Sequence, residues 1–458
     1  MNKTDNVSVW TPYEPDDGAP WNLRRVVHLH RRVVFGACWS EIQRDLAEEP
    51  EAAVSRVLNG TVRAKGVPDG FEQLAEVIGA AAVDSGSAER LKAWWLYRCL
   101  FSPHPLQERL TLMWHNHFAT SNLKVNDLRL MKQQNDTLRK HALSPFGVML
   151  RDIVHDPALL EWLDASSNRA GQPNENLARE LMELFALGVG NYSEDDVKEA
   201  ARALTGWTVR QNKFRNLESL HDEGEKTILS RTGNFDGDDL VDILIDEPAV
   251  ARRLAWRLTN EFFGAGVVND SALDELAEGL RTHNLDIQWG VGVILRSQLF
   301  FSDTNINSRV CDPVTFLIAP LRAIERWRNP PGTLILAEWI ERMGQNLFSP
   351  PNVGGWAGGK SWLSTRTVVA RANYASALVE GRLANPIQPP DLQEVFERHV
   401  GSVDRQKQIR ALNQVLFGES TEEAIRKIDG AVEESSDINS ALRQAVTLLL
   451  TQTKAHLH

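Results

Sequence analysis

Residues 173–207 read PNENLARELMELFALGVGNYSEDDVKEAARALTGW, and the spacing of their apolar side chains decides the fold class. Leu177, Leu181 and Leu184 recur at intervals of four and three, the period that lines one face of an α-helix. Pro173 and Asn174 supply a start and Gly188 the residue that tolerates a left-handed cap, so the spacing predicts a helix over 174–187. The pattern repeats over 193–204, where Ser193 and Asp196 stand at capping-box spacing and Gly206 marks the stop.

Outward from this segment the period persists. It predicts helices over 88–100, over 105–120 with Pro105 in the first turn, over 126–141 with Asn126 as cap, and after Ser144-Pro145. Helices resume near Asp238 and continue to Trp327, and the last spans 437–451. Strict alternation is rare, so the chain reads as all-α, a multi-helix bundle interrupted by two long irregular loops rich in Gly, Asp and Trp. The first, 209–237, has room for short strands, and the second, 348–364, carries Pro350, Pro351, Gly354, Gly355, Gly358 and Gly359. Loops this long inside a helical domain are commonly functional. The expected division is an N-terminal extension over 1–32, a main helical domain over 33–385, and a Glu- and Gln-rich helical tail over 386–458.

Composition narrows the function classes. Lys and Arg total 50 against 61 Asp and Glu, a formal charge of −11, which weighs against non-specific nucleic-acid binding. Cys38, Cys99 and Cys311 are too few and too widely spaced for a disulfide framework or a zinc pattern. The amino terminus has no apolar core behind a basic start, and no run reaches the roughly 18 apolar residues of a membrane span. The chain as written therefore reads as soluble and cytoplasmic.

Several polar groups are placed where chemistry is done. In RLTLMWHNHFATSN (109–122), His115 and His117 point about 200° apart on a helix and cannot share one metal ion, although either can join ligands from another segment. On the 174–187 helix Asn176, Glu180 and Glu183 form a stripe beside the apolar face, with two carboxylates side by side. Two-metal helical bundles use such carboxylates with a Glu-x-x-His partner that is absent here, and the simpler reading pairs Glu180 and Glu183 with Arg179 and Arg202. Asp152, His155, Asp156, Asp164 and Asn168 enlarge the polar inventory. In HDEGEKTILSRTGNFDGDD (221–239), His221, Asp222 and Lys226 are binding-loop candidates, whereas Asp236 and Asp238 lack the remaining ligands of a calcium loop and read as turn and helix cap. GGWAGGKS (354–361) matches the phosphate-loop pattern in letters, but it follows Ser349-Pro350-Pro351-Asn352 rather than a buried strand. A nucleotide is therefore disfavoured, Trp356 and Trp362 read as anchors or a stacking platform, and Lys360 joins the binding-loop candidates.

Taken together, RLTLMWHNHFATSN, NENLARELMELFALGVGNYSEDDVKEAARALTGW, HDEGEKTILSRTGNFDGDDLVDILI and PPNVGGWAGGKSWLSTRTVVARANY resemble the domain of unknown function 1800 family over about 33–383. The resemblance implies a mainly helical fold with no assigned reaction, a sulfatase-like protein encoded nearby as partner, and frequent export among relatives. Where members commonly read Arg-x-Lys-x-Pro, this chain has Arg309-Val310-Cys311-Asp312-Pro313, and where many read Val-Lys-Gly-Trp it has Val353-Gly354-Gly355-Trp356. Two basic side chains are missing, so an anionic ligand held by those lysines in relatives would be held differently here.

Two functions compete at this stage, and whether the protein is an enzyme stays open. One is an enzyme or ligand-binding protein with a polar pocket of His115, His117, Glu180, Glu183 and the two loops, with a divalent metal as a candidate cofactor for hydrolysis or oxidation. The other is a non-catalytic helical accessory working with a sulfatase-like partner.

Overall fold

The computed structural model describes residues 8–62, 70–325, 331–432 and 437–458. The all-α expectation holds: among them are twenty-three α-helices, and the only sheets are two antiparallel hairpins. No helix of the described residues is long and apolar enough to cross a membrane. The expected helix end at Trp327 falls in 326–330, outside the described residues.

The apolar side chains form two cores. The first gathers the helices Phe146–Val154, Pro157–Trp162, Glu194–Ala203, Gly237–Asp246, Pro248–Phe262, Asp270–Thr282 and Ile287–Arg296. The second gathers Ala88–Phe101, Pro313–Ile324, Thr333–Arg342 and Thr365–Val379, and it also takes Leu392, Phe396, Leu412 and Leu442 from beyond Pro386. Between them runs Pro105–His117, which gives Leu110, Met113 and Trp114 to the first core and Leu112 to the second. A helix sandwiched in this way is buried all round, which is why apolar residues occupy nearly every face of it.

Local start and stop signals act as the sequence suggests. Pro105 opens its helix, Ser193 and Asp196 form a reciprocal capping box, Asp236 caps Gly237–Asp246, and Asp437 caps Ile438–Thr451. Other boundaries need correction. The 105–120 helix stops at His117, because Phe118 leaves helical geometry. The 126–141 helix starts at Leu128 behind Asp127, whose carboxylate accepts from two backbone N–H groups, while Asn126 is the left-handed end of a short Asn122–Val125 helix. The run toward Trp327 is interrupted by an irregular stretch over 297–312.

The first long loop folds into the two hairpins, Trp207–Arg210 with Lys213–Asn216 and Lys226–Ile228 with Arg231–Gly233. Their two-residue turns hold Gln211, Asn212, Leu229 and Ser230 at positive φ, the twist that matches paired strands. Leu229 is a poor residue for that conformation, and its N–H is fixed by the Asp196 carboxylate at 2.7 Å.

Candidate functional site

The sandwiched helix sends its two histidines into different cores. His115 meets Trp95, Phe348 and Trp356 at ring separations of 5.3, 5.7 and 5.8 Å. His117 sits among Trp114, Phe118 and Phe185, and its Nε2–H donates to the Phe185 carbonyl at 3.0 Å. Burial pushes His115 down to about 3; burial, then Arg257 and Arg253, push His117 well below the usual histidine range. Both rings are neutral in the native state. A depressed native value gives stability that is present above the unfolded value near 6.5 and lost as pH falls. Acid unfolding followed by circular dichroism should therefore show a shallower pH dependence between 6.5 and 3 for His115→Phe than for the parent, by up to about 1.4 kcal/mol per unit.

The Glu180 and Glu183 segment departs from the expected helix. The α-helix covers only Asn176–Glu180, and Leu181–Ala186 continues as a π-helix, with Leu187 N–H bonded to Met182 O five residues back. The wider turn shifts the apolar face, so Phe185 and Met182 are buried while Leu184 is half-buried. It also leaves carbonyls for outside donors: Phe185 O takes His117, and Leu184 O takes Arg253 Nε and Nη2 at 3.2 and 2.9 Å. The expected pairing with Arg179 and Arg202 is overturned. Arg179 binds Glu175 and Glu194, and Arg202 binds Glu199 and Asp222. Glu183 instead accepts from the Tyr192 hydroxyl at 2.8 Å, and Glu180, half-buried, has its carboxyl raised by burial and then by Glu183.

The loop candidates act on the scaffold. Asp222 holds Arg202 at 2.8 Å, which keeps its carboxyl down at about 2, and His221 Nδ1 bonds the Thr205 carbonyl at 2.9 Å. Lys226 is buried, and its ammonium donates to Asp222 O, Gly224 O and Asn234 Oδ1. His155 packs at a tilt against Phe214 and pairs with Asp238, Asp152 pairs with His141, Asp164 with Lys124, and Asn168 donates to Ala201 O.

In the second loop Gly359–Leu363 is a 3-10 turn entered from irregular backbone, with Lys360 exposed and Trp356 and Trp362 buried. Asn116 clasps it, accepting from Trp356 N at 2.6 Å and donating to Trp356 O at 3.3 Å. Gly355 has φ +74°, and a Cβ there would lie 2.6 Å from the Asn116 carbonyl oxygen. Gly355→Ala should cost at least about 2 kcal/mol in a urea titration.

The polar centre that sequence reasoning missed lies between Pro105–His117, Pro248–Phe262 and the irregular segment before Pro313. Arg109 is bridged to Glu261 at 2.7 Å and to Asp312 at 2.8 Å, and it lies over the Phe35 ring. Arg309 approaches Glu261 at 3.5 Å. One turn earlier on the same helix, Arg257 donates to Met113 O at 2.7 Å and keeps a buried Nε without a partner among the described residues. Arg253 follows on that face, stacked 4.3 Å over Trp256 and electrostatically coupled to Glu183. Arg32 lies behind, hydrogen-bonded to Asn305 and to the carbonyls of Phe262 and His458. Along this seam five guanidiniums face three carboxylates, Glu183, Glu261 and Asp312. Burial lowers Arg257 to about 10. For Arg109 burial acts the same way but is outweighed by Asp312 and Glu261. Of the sequence candidates, the seam joins His117 and Glu183 through Arg253 and leaves His115 on the other side of its helix. Among the described residues no three His, Cys, Asp or Glu side chains come together so as to hold a metal ion.

The four sequence words are packing partners: the first clasps the fourth at Asn116 and Trp356, and the second grips the third through Arg202 and Asp222 and through Asp196 and Leu229. The family model described as "Protein of unknown function (DUF1800)" matches residues 28–456. The chain belongs to the DUF1800 family. The matched span takes in most of both cores, the arginine seam and the helices beyond Pro386. No curated protein and no solved structure matches this DUF1800 chain.

Proposed function

We propose that this protein binds an anionic ligand, a phosphate, sulfate or carboxylate group, on Arg253, Arg257 and Arg309. The observation that carries the reading is the buried, unpartnered Nε of Arg257, set between two other guanidiniums where arginines outnumber carboxylates. All three are half-buried and so reachable from solvent. Guanidinium N–H pairs match the oxygens of an oxyanion two at a time, which is why arginine serves such sites. Neutral His117 supports the seam by fixing the π-helix, and Glu183 with Tyr192 closes one rim. Cys311, where the resemblance expects lysine, borders the seam beside Asp312.

Titration calorimetry with inorganic phosphate at fixed ionic strength tests this. Binding should exceed that of chloride, and Arg257→Gln should weaken it roughly tenfold to a hundredfold, the value of a charge-assisted hydrogen bond. Equal heats for phosphate and chloride, or an unchanged affinity in a folded Arg257→Gln protein, would refute the reading.

The accessory role keeps one supporting observation. Trp256 is 37% exposed under Arg253, and exposed Trp–Arg pairs are common anchors of protein interfaces. If a sulfatase-like partner docks there, Trp256→Ser should abolish its co-purification.

A further inference from the structure

Asp156 lies away from the arginine seam, 3% exposed, at the start of Pro157–Trp162. Its Oδ1 accepts from Gln134 Nε2 at 2.8 Å and from Leu159 N–H at 3.0 Å. Gln134 also donates to Thr120 Oγ1 at 3.0 Å, in the turn that follows His117. Two atoms of this cluster are buried without a partner among the described residues, and both are acceptors: Asp156 Oδ2 and Gln134 Oε1. A carboxyl and an amide already joined by one N–H···O bond can close a second bond only if the carboxyl supplies a hydrogen.

We propose that Asp156 is a neutral carboxylic acid in the native protein at pH 6, its Oδ2–H donating to Gln134 Oε1, and that loss of this proton above neutrality unlatches the Phe118–Ser121 turn from the Pro157–Trp162 helix. An enclosed carboxylate with one orphan oxygen is costly, and no cation of the described residues faces it. The ionisable groups on the elements packed around it are engaged elsewhere or exposed. Lys124 binds Asp164 and the Trp162 carbonyl, Lys132 binds Glu76 and Asp136, and Arg139 binds Glu108. Arg151 binds Asp242, Asp152 binds His141, His155 binds Asp238, and His117 binds Phe185 O. Glu161 and Arg210 are exposed. Burial, opposed only by hydrogen bonds from Leu159, Gln134 and Ala158, accordingly pushes the carboxyl up to about 7.

A native value above the unfolded one near 3.9 gives stability that is full below pH 4 and is lost as pH rises through 7. Asp156→Asn keeps the helix cap and supplies a permanent N–H for Gln134 Oε1, so it imitates the protonated state at every pH. Carbon-13 spectra of Asp-carboxyl-labelled protein should show one resonance titrating near neutrality that is missing in Asp156→Asn and displaced in Gln134→Leu. From pH 4 to 8 the folding equilibrium constant of the parent should fall relative to Asp156→Asn by up to about a thousandfold. Amide exchange over 118–121 and 157–162, corrected for its intrinsic rate, should rise above pH 8 in the parent alone. A resonance that titrates below pH 5, or identical pH–stability profiles for the parent and Asp156→Asn, would overturn the proposal, and so would unchanged exchange above pH 8.

Discussion

Arg109→Met should cost the protein about 3–5 kcal/mol in urea unfolding at neutral pH. Arg109 is 1% exposed and bridges two carboxylates on different elements, Glu261 of Pro248–Phe262 and Asp312 at the cap of Pro313–Ile324. Methionine fills much of the volume and keeps an apolar contact with Phe35, so the loss comes mainly from the two carboxylates left behind. Glu261 retains Arg309 at 3.5 Å, but Asp312 keeps only Thr315 at close range. Asp312 is held below the usual carboxylate range against its own burial by Arg109 and Arg309. Removing Arg109 should let the native value of Asp312 rise toward the unfolded one, so that this share of the acid-limb slope flattens. A loss under about 1 kcal/mol would mean that the seam is solvated and not a buried network.

Glu108→Gln should lose a similar amount, about 3–5 kcal/mol, without touching the seam. Its carboxylate has no solvent exposure and is shared by Arg98 at 2.8 Å and Arg139 at 2.9 Å, both stacked against the Trp94 ring. Burial opposes its charge, and the two arginines more than offset that, so its carboxyl lies below its ordinary value. That stability is present above the unfolded value and lost as pH falls through the native one, a loss the glutamine variant should not show. Adjacent in sequence, Glu108 and Arg109 separate two roles. Glu108→Gln should leave phosphate affinity unchanged at a denaturant-free temperature where it remains folded, whereas Arg109→Met should lower it.

The helical class and most helix boundaries were legible because the apolar period and the caps are local properties of the chain. Ser193 with Asp196, Asp236 and Pro105 act through residues within one turn of themselves. The π-helix at Leu181–Ala186 was not legible, since its donors, His117 and Arg253, come from distant segments. The hairpin turns were hidden for a similar reason: Leu229 is held at positive φ by Asp196 rather than replaced by glycine. Glu183 and His117 were singled out for their residue types, and the structure places them near one another through arginines that looked like ordinary surface charges of an amphipathic helix. Only Arg309 and Asp312 carried a signal, in the Arg309–Pro313 word of the family resemblance. A buried ion network depends on which helix faces pack, and a single sequence does not encode that in any short window.

The most direct test of the anion seam is a crystal grown without sulfate or phosphate and transferred into selenate, with anomalous scattering recorded at the selenium edge. The account predicts a selenium peak within hydrogen-bonding reach of Arg253, Arg257 and Arg309, absent from the Arg257→Gln crystal. A seam empty of selenate at concentrations that saturate the calorimetric signal, with the anion bound at another surface, would contradict it.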